Sequence, residues 1–286
     1  MQHNKHIVLV TGCTDGSAGA ALARHFHIRG CRVFAAARSL DKMQSLADLG
    51  MDTLAMDVLQ PAQITAAVDA VRSATGGRLD ILVNNAAVFN LMPLADQDLD
   101  DARAMFNVNV FGMLAVTQAF LPLLTATAAV GGRPLVANVG SISAQAEPVF
   151  QGIYAASKAA VAAMSGVMRK ELAPLGIRVV TIVSGAVATN FKQGNKPWRV
   201  PEGSLYSALA GDIESKQSAG SSYAMEPDDY AKKVVGDLLG VNPGPAIFRG
   251  RFSSAVWLLS WFGRYGMLDS MEIRDAGLNI VKYPEI

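Results

Sequence analysis

Two side chains one helical turn apart, Tyr154 and Lys158, carry the strongest chemical signal in the sequence. Residues at i and i+4 share a helix face, about 5–6 Å apart between Cβ atoms. A phenol ordinarily titrates near ~10, and a neighbouring ammonium favours its ionised form, moving that value toward working pH. Such a phenol can give a proton to a carbonyl oxygen as hydride arrives at carbon, or take one in the reverse reaction. Chance alone can place a tyrosine and a lysine four apart, so context decides. Ser141 lies upstream at the end of a β-rich run, where its hydroxyl can hold a substrate oxygen beside Tyr154. Asn109 lies in NVNVFG (Asn107 to Gly112), inside a helical pattern. It is either a further member of this group or a satisfied polar core residue.

The elements that must position these residues alternate strand with helix. Strands are expected at Ile7 to Gly12, Cys31 to Arg38, Thr53 to Val58, Ile81 to Ala86, Pro134 to Ser141 and Ile177 to Gly185. Helices are expected at Ala20 to Arg29, Asp41 to Leu49, Pro61 to Ser73, Asp98 to Leu124 and Ile153 to Leu172. Near-continuous apolar strands between helices imply a parallel sheet covered on both faces. The expected fold is therefore α/β, a single-domain, Rossmann-type, doubly wound sheet spanning residues 1–286. Its ligands belong at the carboxyl ends of the strands.

The first strand runs into TGCTDGSAG (Thr11 to Gly19) and then a helix. Glycine lets backbone approach a ligand, and a helix N-terminus offers N–H groups to a phosphate. Gly12, Thr14, Asp15, Gly16, Ser17, Ala18 and Gly19 are thus candidate cofactor contacts, although Asp15 brings negative charge close to the phosphates. Where an NAD-preferring fold has an acid after its second strand, this chain has Ala37 and Arg38. Arg38 can pair with a 2′-phosphate, so NADP(H) is the expected cofactor. Asp57, with Val58 after it, can accept from the adenine amino group, and Asn84, Asn85 and Ala86 end strand four as cofactor contacts or turn formers.

Residues 190–226 are rich in Gly, Ser, Pro and polar groups, with helix expected around Pro201 to Lys216. An insertion of that kind reads as a substrate lid. A helix at Asp228 to Leu239 and an edge strand at Ala246 to Gly250 follow. Phe150, Phe191, Trp198 and Tyr206 are expected either to line an apolar substrate pocket or to pack within the lid. The apolar extension, 251–286, contains AVWLLSWF (Ala255 to Phe262), flanked by Arg249, Arg251 and Arg264. Core or subunit packing is the first expectation for it, and weak membrane-surface association the second.

Bulk composition excludes several classes. With 51% hydrophobic and 17% charged residues, the chain can bury a large core and is not disordered. A net charge of +1 gives no reason to expect nucleic acid. Two cysteines, Cys13 and Cys31, suit a reducing, cytoplasmic setting. The four histidines, at 3, 6, 25 and 27, lack a shared face for a metal. No secretory signal is read at the start, and no run is expected to approach the ~20 apolar residues that span a bilayer.

Taken together, these residues resemble the short-chain dehydrogenase/reductase family over roughly 6–190. The family's glycine motif falls on Thr11, Gly12, Gly16 and Gly19, its Asp-Val pair on Asp57-Val58, and its Asn-Asn-Ala-Gly motif on Asn84-Asn85-Ala86-Ala87. Its tetrad falls on Asn109, Ser141, Tyr154 and Lys158. The resemblance implies that the lysine also binds the nicotinamide ribose. It further implies that the asparagine helps hold a lysine-linked water, that Val187 to Thr189 cradle the nicotinamide amide, and that the pro-S hydride is transferred. The glycine loop is one residue longer than the commonest form, with Ala18 before Gly19; Ala87 replaces a glycine and Ser184 a proline. The chain looks most similar to the fungal branch near acyl-dihydroxyacetone-phosphate reductases, which also resembles hydroxysteroid and retinol-type dehydrogenases and ketoreductases of secondary metabolism.

The expected activity is NADPH-dependent reduction of a ketone, or the reverse oxidation, on an apolar, lipid-like or polyketide-like small molecule. A non-redox isomerisation, dehydration or cyclisation in the same pocket is the alternative, and nucleotide binding without catalysis a third. A homodimer or homotetramer is expected from the helices at 98–124 and 152–172, which commonly build such assemblies in relatives.

Overall fold

Runs of Val, Ile, Leu and Ala with no polar alternation make strands that need cover on both faces. In the computed structural model, which describes residues 5–192, 199–218, 223–263 and 266–281, they receive it. The strands are β1 Ile7–Thr11, β2 Arg32–Ala37, β3 Asp52–Ala55, β4 Ile81–Asn84, β5 Leu135–Ser141, β6 Arg178–Ser184 and β7 Ala246–Arg249. They form one parallel sheet in the order β3-β2-β1-β4-β5-β6-β7. The chain order reverses between β1 and β4, and a doubly wound sheet opens its ligand crevice at that point.

The helices are α1 Ala18–Ile28, α2 Gln44–Asp48, α3 Pro61–Thr75, α4 Leu99–Phe106, α5 Met113–Ala129, α6 Ser143–Ala146, α7 Gly152–Glu171, α8 Ala210–Ser218, α9 Pro227–Leu238, α10 Ser253–Phe262 and α11 Asp269–Asp275. One core layer packs α1 and α9 residues such as Leu22, Phe26, Tyr230 and Val234 against Val8, Val10 and Ala35 of the sheet. The opposite layer packs Ile64, Val68, Val116, Phe120 and Val161, from α3, α5 and α7, against Leu9, Leu82 and Val136. The alternation of side chains along each strand sends consecutive residues to opposite layers.

Several expectations are corrected. The helix expected at 41–49 is a 3₁₀ turn, Leu40–Met43, followed by the short α2. Strand three ends at Ala55, before Asp57. There the Asp57 carboxylate accepts from Leu59 N (2.9 Å) and Asp57 N donates to Gln63 Oε1 (2.8 Å), which turns the chain into α3. Pro61 opens that helix, where its missing N–H costs nothing. The long helix begins at an Asp98 cap and runs on to Ala129, with a π-helical stretch at Asn107–Gly112. This rod, Leu99–Ala129, is long and apolar enough by composition to cross a bilayer, contrary to the expectation that no segment would be. Its buried face belongs to the second core layer, as in the core helix of a soluble fold.

The apolar run at Ala255 to Phe262 is not core. Within α10 only Ser253 and Val256 are buried, while Trp261 is 71% and Phe262 79% exposed. The helix leaves the edge strand β7 and rests on it and on α6, so one side stays open. In the insertion, helix forms later than expected, as a 3₁₀ turn Ser207–Leu209 leading into α8. Trp198 and Arg264 lie outside the described residues. Both cysteines are buried and free.

Candidate active site

The carboxyl ends of the strands enclose a cavity of about 420 Å³. At one end it is lined by Gly12, Thr14, Ser17, Ala18, Arg38 and Asp57, and at the other by Ser141, Tyr154, Lys158, Val187 and Thr189. Val58, Asn85 and Ala86 line it as well. Most of the residues singled out from sequence therefore share one elongated space.

The glycine loop is built for close approach. Gly12 has φ +73°, and a Cβ there would stand 2.9 Å from Ala86 Cα; a Cβ on Gly19 would collide with the Gly12 carbonyl oxygen. Ser17 caps α1 by accepting from Ala20 N (3.1 Å) and braces the loop by donating to Gly12 O (3.0 Å). Thr11 and Asn85 latch loop to strand end. Asn85 Nδ2 donates to Thr11 O (2.8 Å), and Thr11 Oγ1 accepts from Asn85 N (2.9 Å) and Ala86 N (3.0 Å). Asp15 turns away from the cavity, its carboxylate accepting from Ser45 N and Oγ, so its charge is engaged elsewhere. Gly16 and Gly19 shape the loop without lining the cavity.

Asn84 is not brought to the cavity. Register pairs it with Asn138 across β4 and β5, and its Nδ2 donates to Asn138 Oδ1 (2.9 Å) and Thr117 Oγ1 (2.8 Å) inside the core. Of the two roles open to it from sequence, the structure places it in the structural one.

Sequence reasoning missed several cavity residues, Lys42 and Asn190 among them. Lys42 joins Arg38 in lining the cavity, and neither has an ion-pair partner among the described residues. Its signal was a second cation four residues after Arg38, which the 3₁₀ turn Leu40–Met43 brings to the same cavity. Asn190 bridges the glycine loop and the segment after β6, donating from Nδ2 to Asp15 O (2.6 Å) and from its backbone N to Gly16 O (3.2 Å). That contact spans most of the chain, and no local pattern announces it.

The opposite end is buried and polar only where it must be. Tyr154, Ser141 and Lys158 are all buried, Lys158 to 4% exposure. Lys158 Nζ donates to Val139 O (2.8 Å) and lies 5.8 Å from the centre of the Tyr154 ring. Burial holds the lysine down to about 8. Burial also pushes the Tyr154 phenol up to about 12, the Ser141 hydroxyl pulling weakly the other way. The lowering of the phenol expected from the i+4 spacing is thus outweighed by desolvation.

Asn109 occupies the π-helical stretch and is buried. Its Oδ1 accepts from Val88 N (2.8 Å), and its Nδ2 donates to Val88 O (3.0 Å) and Ser157 Oγ (3.0 Å). The side chain thus ties the cavity wall at Val88 to the Tyr154 helix. Beyond Tyr154, Phe89 makes an edge contact at 4.9 Å between ring centres and Phe191 lies 6.3 Å away. Phe150 and Tyr206 instead line a separate cavity with Leu94, Gly152 and Leu278.

The residues present fit a nicotinamide dinucleotide: a glycine cradle that a Cβ would fill, a capped helix start, two cations with no ion-pair partner among the described residues, and a buried Ser–Tyr–Lys group.

Comparison with known proteins agrees. The family model described as short chain dehydrogenase matches residues 6–200. A short-chain dehydrogenase of Penicillium ochrochloron, ptmH, is 40% identical over 279 residues, covering 96% of this chain and 99% of that one. An NADPH-dependent 1-acyldihydroxyacetone phosphate reductase of Schizosaccharomyces pombe is 31% identical over 287 residues, covering 97% and 94%. Among solved structures, a short chain dehydrogenase from Burkholderia cenocepacia in complex with NADP superposes with a TM-score of 0.72 at 24% identity, over 95% of this chain and 99% of that one. With its sheet order, its glycine loop and its match to family and relatives over most of its length, this chain belongs to the short-chain dehydrogenase/reductase family and is an oxidoreductase.

Proposed function

We propose that the chain uses NADPH to reduce a ketone on an apolar small molecule, with Tyr154 as the proton donor. The observation that carries this is one cavity with Arg38 and Lys42 at one end and Ser141, Tyr154 and Lys158 at the other. The cofactor, when bound, supplies hydride to the carbonyl carbon. Thr14, Ser17 and Ala18 would face its phosphates, Arg38 and Lys42 its 2′-phosphate, Asp57 and Val58 its adenine, and Val187 and Thr189 its nicotinamide.

Ser141 Oγ holds the carbonyl oxygen and Tyr154 Oη gives it a proton. A phenol raised to about 12 is fully protonated at neutral pH, the state a proton donor needs for reduction. Lys158 holds its ammonium beside the ring below about pH 8. Phe89 and Phe191 make the surroundings of the phenol apolar, which favours a substrate with little charge near its carbonyl. The NADPH-dependent relative from Schizosaccharomyces pombe supports the cofactor choice, and the Penicillium relative the general chemistry.

Tyr154→Phe tests the chemistry. Turnover of a ketone panel should fall by at least about 10²-fold, the scale of a lost general acid, while NADPH still binds. Arg38→Ala combined with Lys42→Ala tests the cofactor: NADPH affinity should fall about 10-fold or more while NADH affinity holds. Undiminished turnover in the first variant overturns the mechanism, and an unchanged NADPH preference in the second overturns the cofactor assignment.

A further inference from the structure

The nicotinamide end of the cavity contains a second hydroxyl pair. Ser184 is the last residue of β6, in register with Ser141 of β5 and Arg249 of β7. Its carbonyl accepts from Ile142 N (2.9 Å), directly after Ser141. Its Oγ lies 2.6 Å from Tyr230 Oη, on α9. Tyr230 is 1% exposed, and both residues line the cavity together with Tyr154, Lys158, Gly185 and Val187.

Two hydroxyls own two donor hydrogens, and the bond between them uses one. Neither hydroxyl has another hydrogen-bond partner among the described residues. A phenylalanine at 230 would fill the same volume with no polar atom to satisfy, and the proline usual in the family at 184 would offer no hydroxyl at all. Tyr230 is buried and Ser184 half-buried, so leaving the pair's remaining donor unused is unfavourable. Both line the same open space, the cavity.

We propose that Ser184 and Tyr230 form a positioning pair that donates one hydrogen bond to an oxygen at the nicotinamide end of the bound dinucleotide. The inference rests on the cavity being the dinucleotide site, as set out above. The pair acts beside the Ser141–Tyr154–Lys158 group and takes no part in proton transfer. It also anchors the start of the 185–189 segment, because β6 ends where Tyr230 grips it.

The test is direct binding to the full chain, with two probes that differ at the relevant end. NADPH carries the nicotinamide half; adenosine 2′,5′-bisphosphate carries only the adenosine half. Tyr230→Phe and Ser184→Ala should each weaken NADPH binding by about 3–10-fold, the worth of one hydrogen bond. The double variant should be no weaker than the weaker single one, since the pair acts as a unit. Ser184→Thr, which keeps the hydroxyl, should restore affinity. Binding of adenosine 2′,5′-bisphosphate should stay unchanged in all four. Unchanged NADPH affinity in Tyr230→Phe and Ser184→Ala would overturn the proposal. So would an equal loss for both probes accompanied by a lowered Tm, which would make the pair a structural pin between β6 and α9. A wild-type chain that binds neither NADPH nor NADH would instead defeat the dinucleotide reading itself.

Discussion

Burial moves Tyr154 and Lys158 in opposite senses, and that gives the folded chain a pH signature. Lys158 releases its proton at about 8 when folded, against an ordinary 10.5. Between those values the unfolded chain binds more protons, so raising the pH favours the folded state. Tyr154 and Tyr230 hold their protons to about 12 when folded, against an ordinary 10.0, so their contribution is lost as pH rises above 10. The summed contribution of these three groups is therefore greatest near pH 10. Urea unfolding of the wild type and Lys158→Met should show the wild type gaining stability relative to the variant from pH 8 to 10. A pH-independent difference would mean that the lysine does not carry this cost. The tyrosine–lysine spacing was legible because it is local, and Ser141 because it ends a strand. The sign of the phenol's shift was not, because it depends on how much of the fold closes over the ring. Ser184 stood out as a departure from the family's proline, but Tyr230 did not, because their contact joins a strand end to a helix 46 positions on.

At the level of elements, the π-helical stretch at Asn107–Gly112 is what aims Asn109 at the cavity wall. One extra residue per turn rotates the following side chains, and such bulges often sit at functional sites. Gly112 in the same stretch lets the helix approach Val58, where a Cβ would stand 2.7 Å from Val58 Cγ2. Asn109→Ala removes three hydrogen bonds and leaves both backbone groups of Val88 unpaired. It should cost about 1–3 kcal/mol in denaturant unfolding and lower kcat more than cofactor affinity, since Val88 borders the Tyr154 end. A variant with native stability and turnover would reduce Asn109 to an ordinary polar core residue. The strand–helix alternation was legible because apolar strands and capped helices are written locally. The α2 region and the end of β3 were not: side-chain-to-backbone bonds at Asp57 end the strand, and the 3₁₀ stretch Leu40–Met43 is tied to the distant glycine loop by the bond from Asp15 N to Lys42 O.

At the level of the whole molecule, the open side of α10 has to be accounted for. Trp257, Leu258, Trp261 and Phe262 are all largely exposed on one short helix beside the sheet edge. Contiguous apolar surface of this kind marks a protein or membrane contact. Its surroundings favour a second copy of the chain over an anionic lipid surface. Arg249, expected as a cationic edge, is held by Asp237 at 2.8 Å, and Arg251 lies over the Phe252 ring. The adjoining α11 carries Asp269, Glu272 and Asp275 against Arg274. An acidic neighbour repels an anionic leaflet, whereas self-packing of two aromatic faces needs no net charge. Burying each large side chain contributes about 1.5–3 kcal/mol, so a few from each copy suffice to hold an interface together. Replacing Trp261 and Phe262 with serine should move the chain toward monomer in lipid-free sedimentation velocity while cofactor affinity is kept, because neither residue lines the cavity. If sedimentation is unchanged by the substitutions and the wild type floats with anionic vesicles while the variant does not, the face belongs to lipid, and the acidic residues of α11 do not govern its choice of partner.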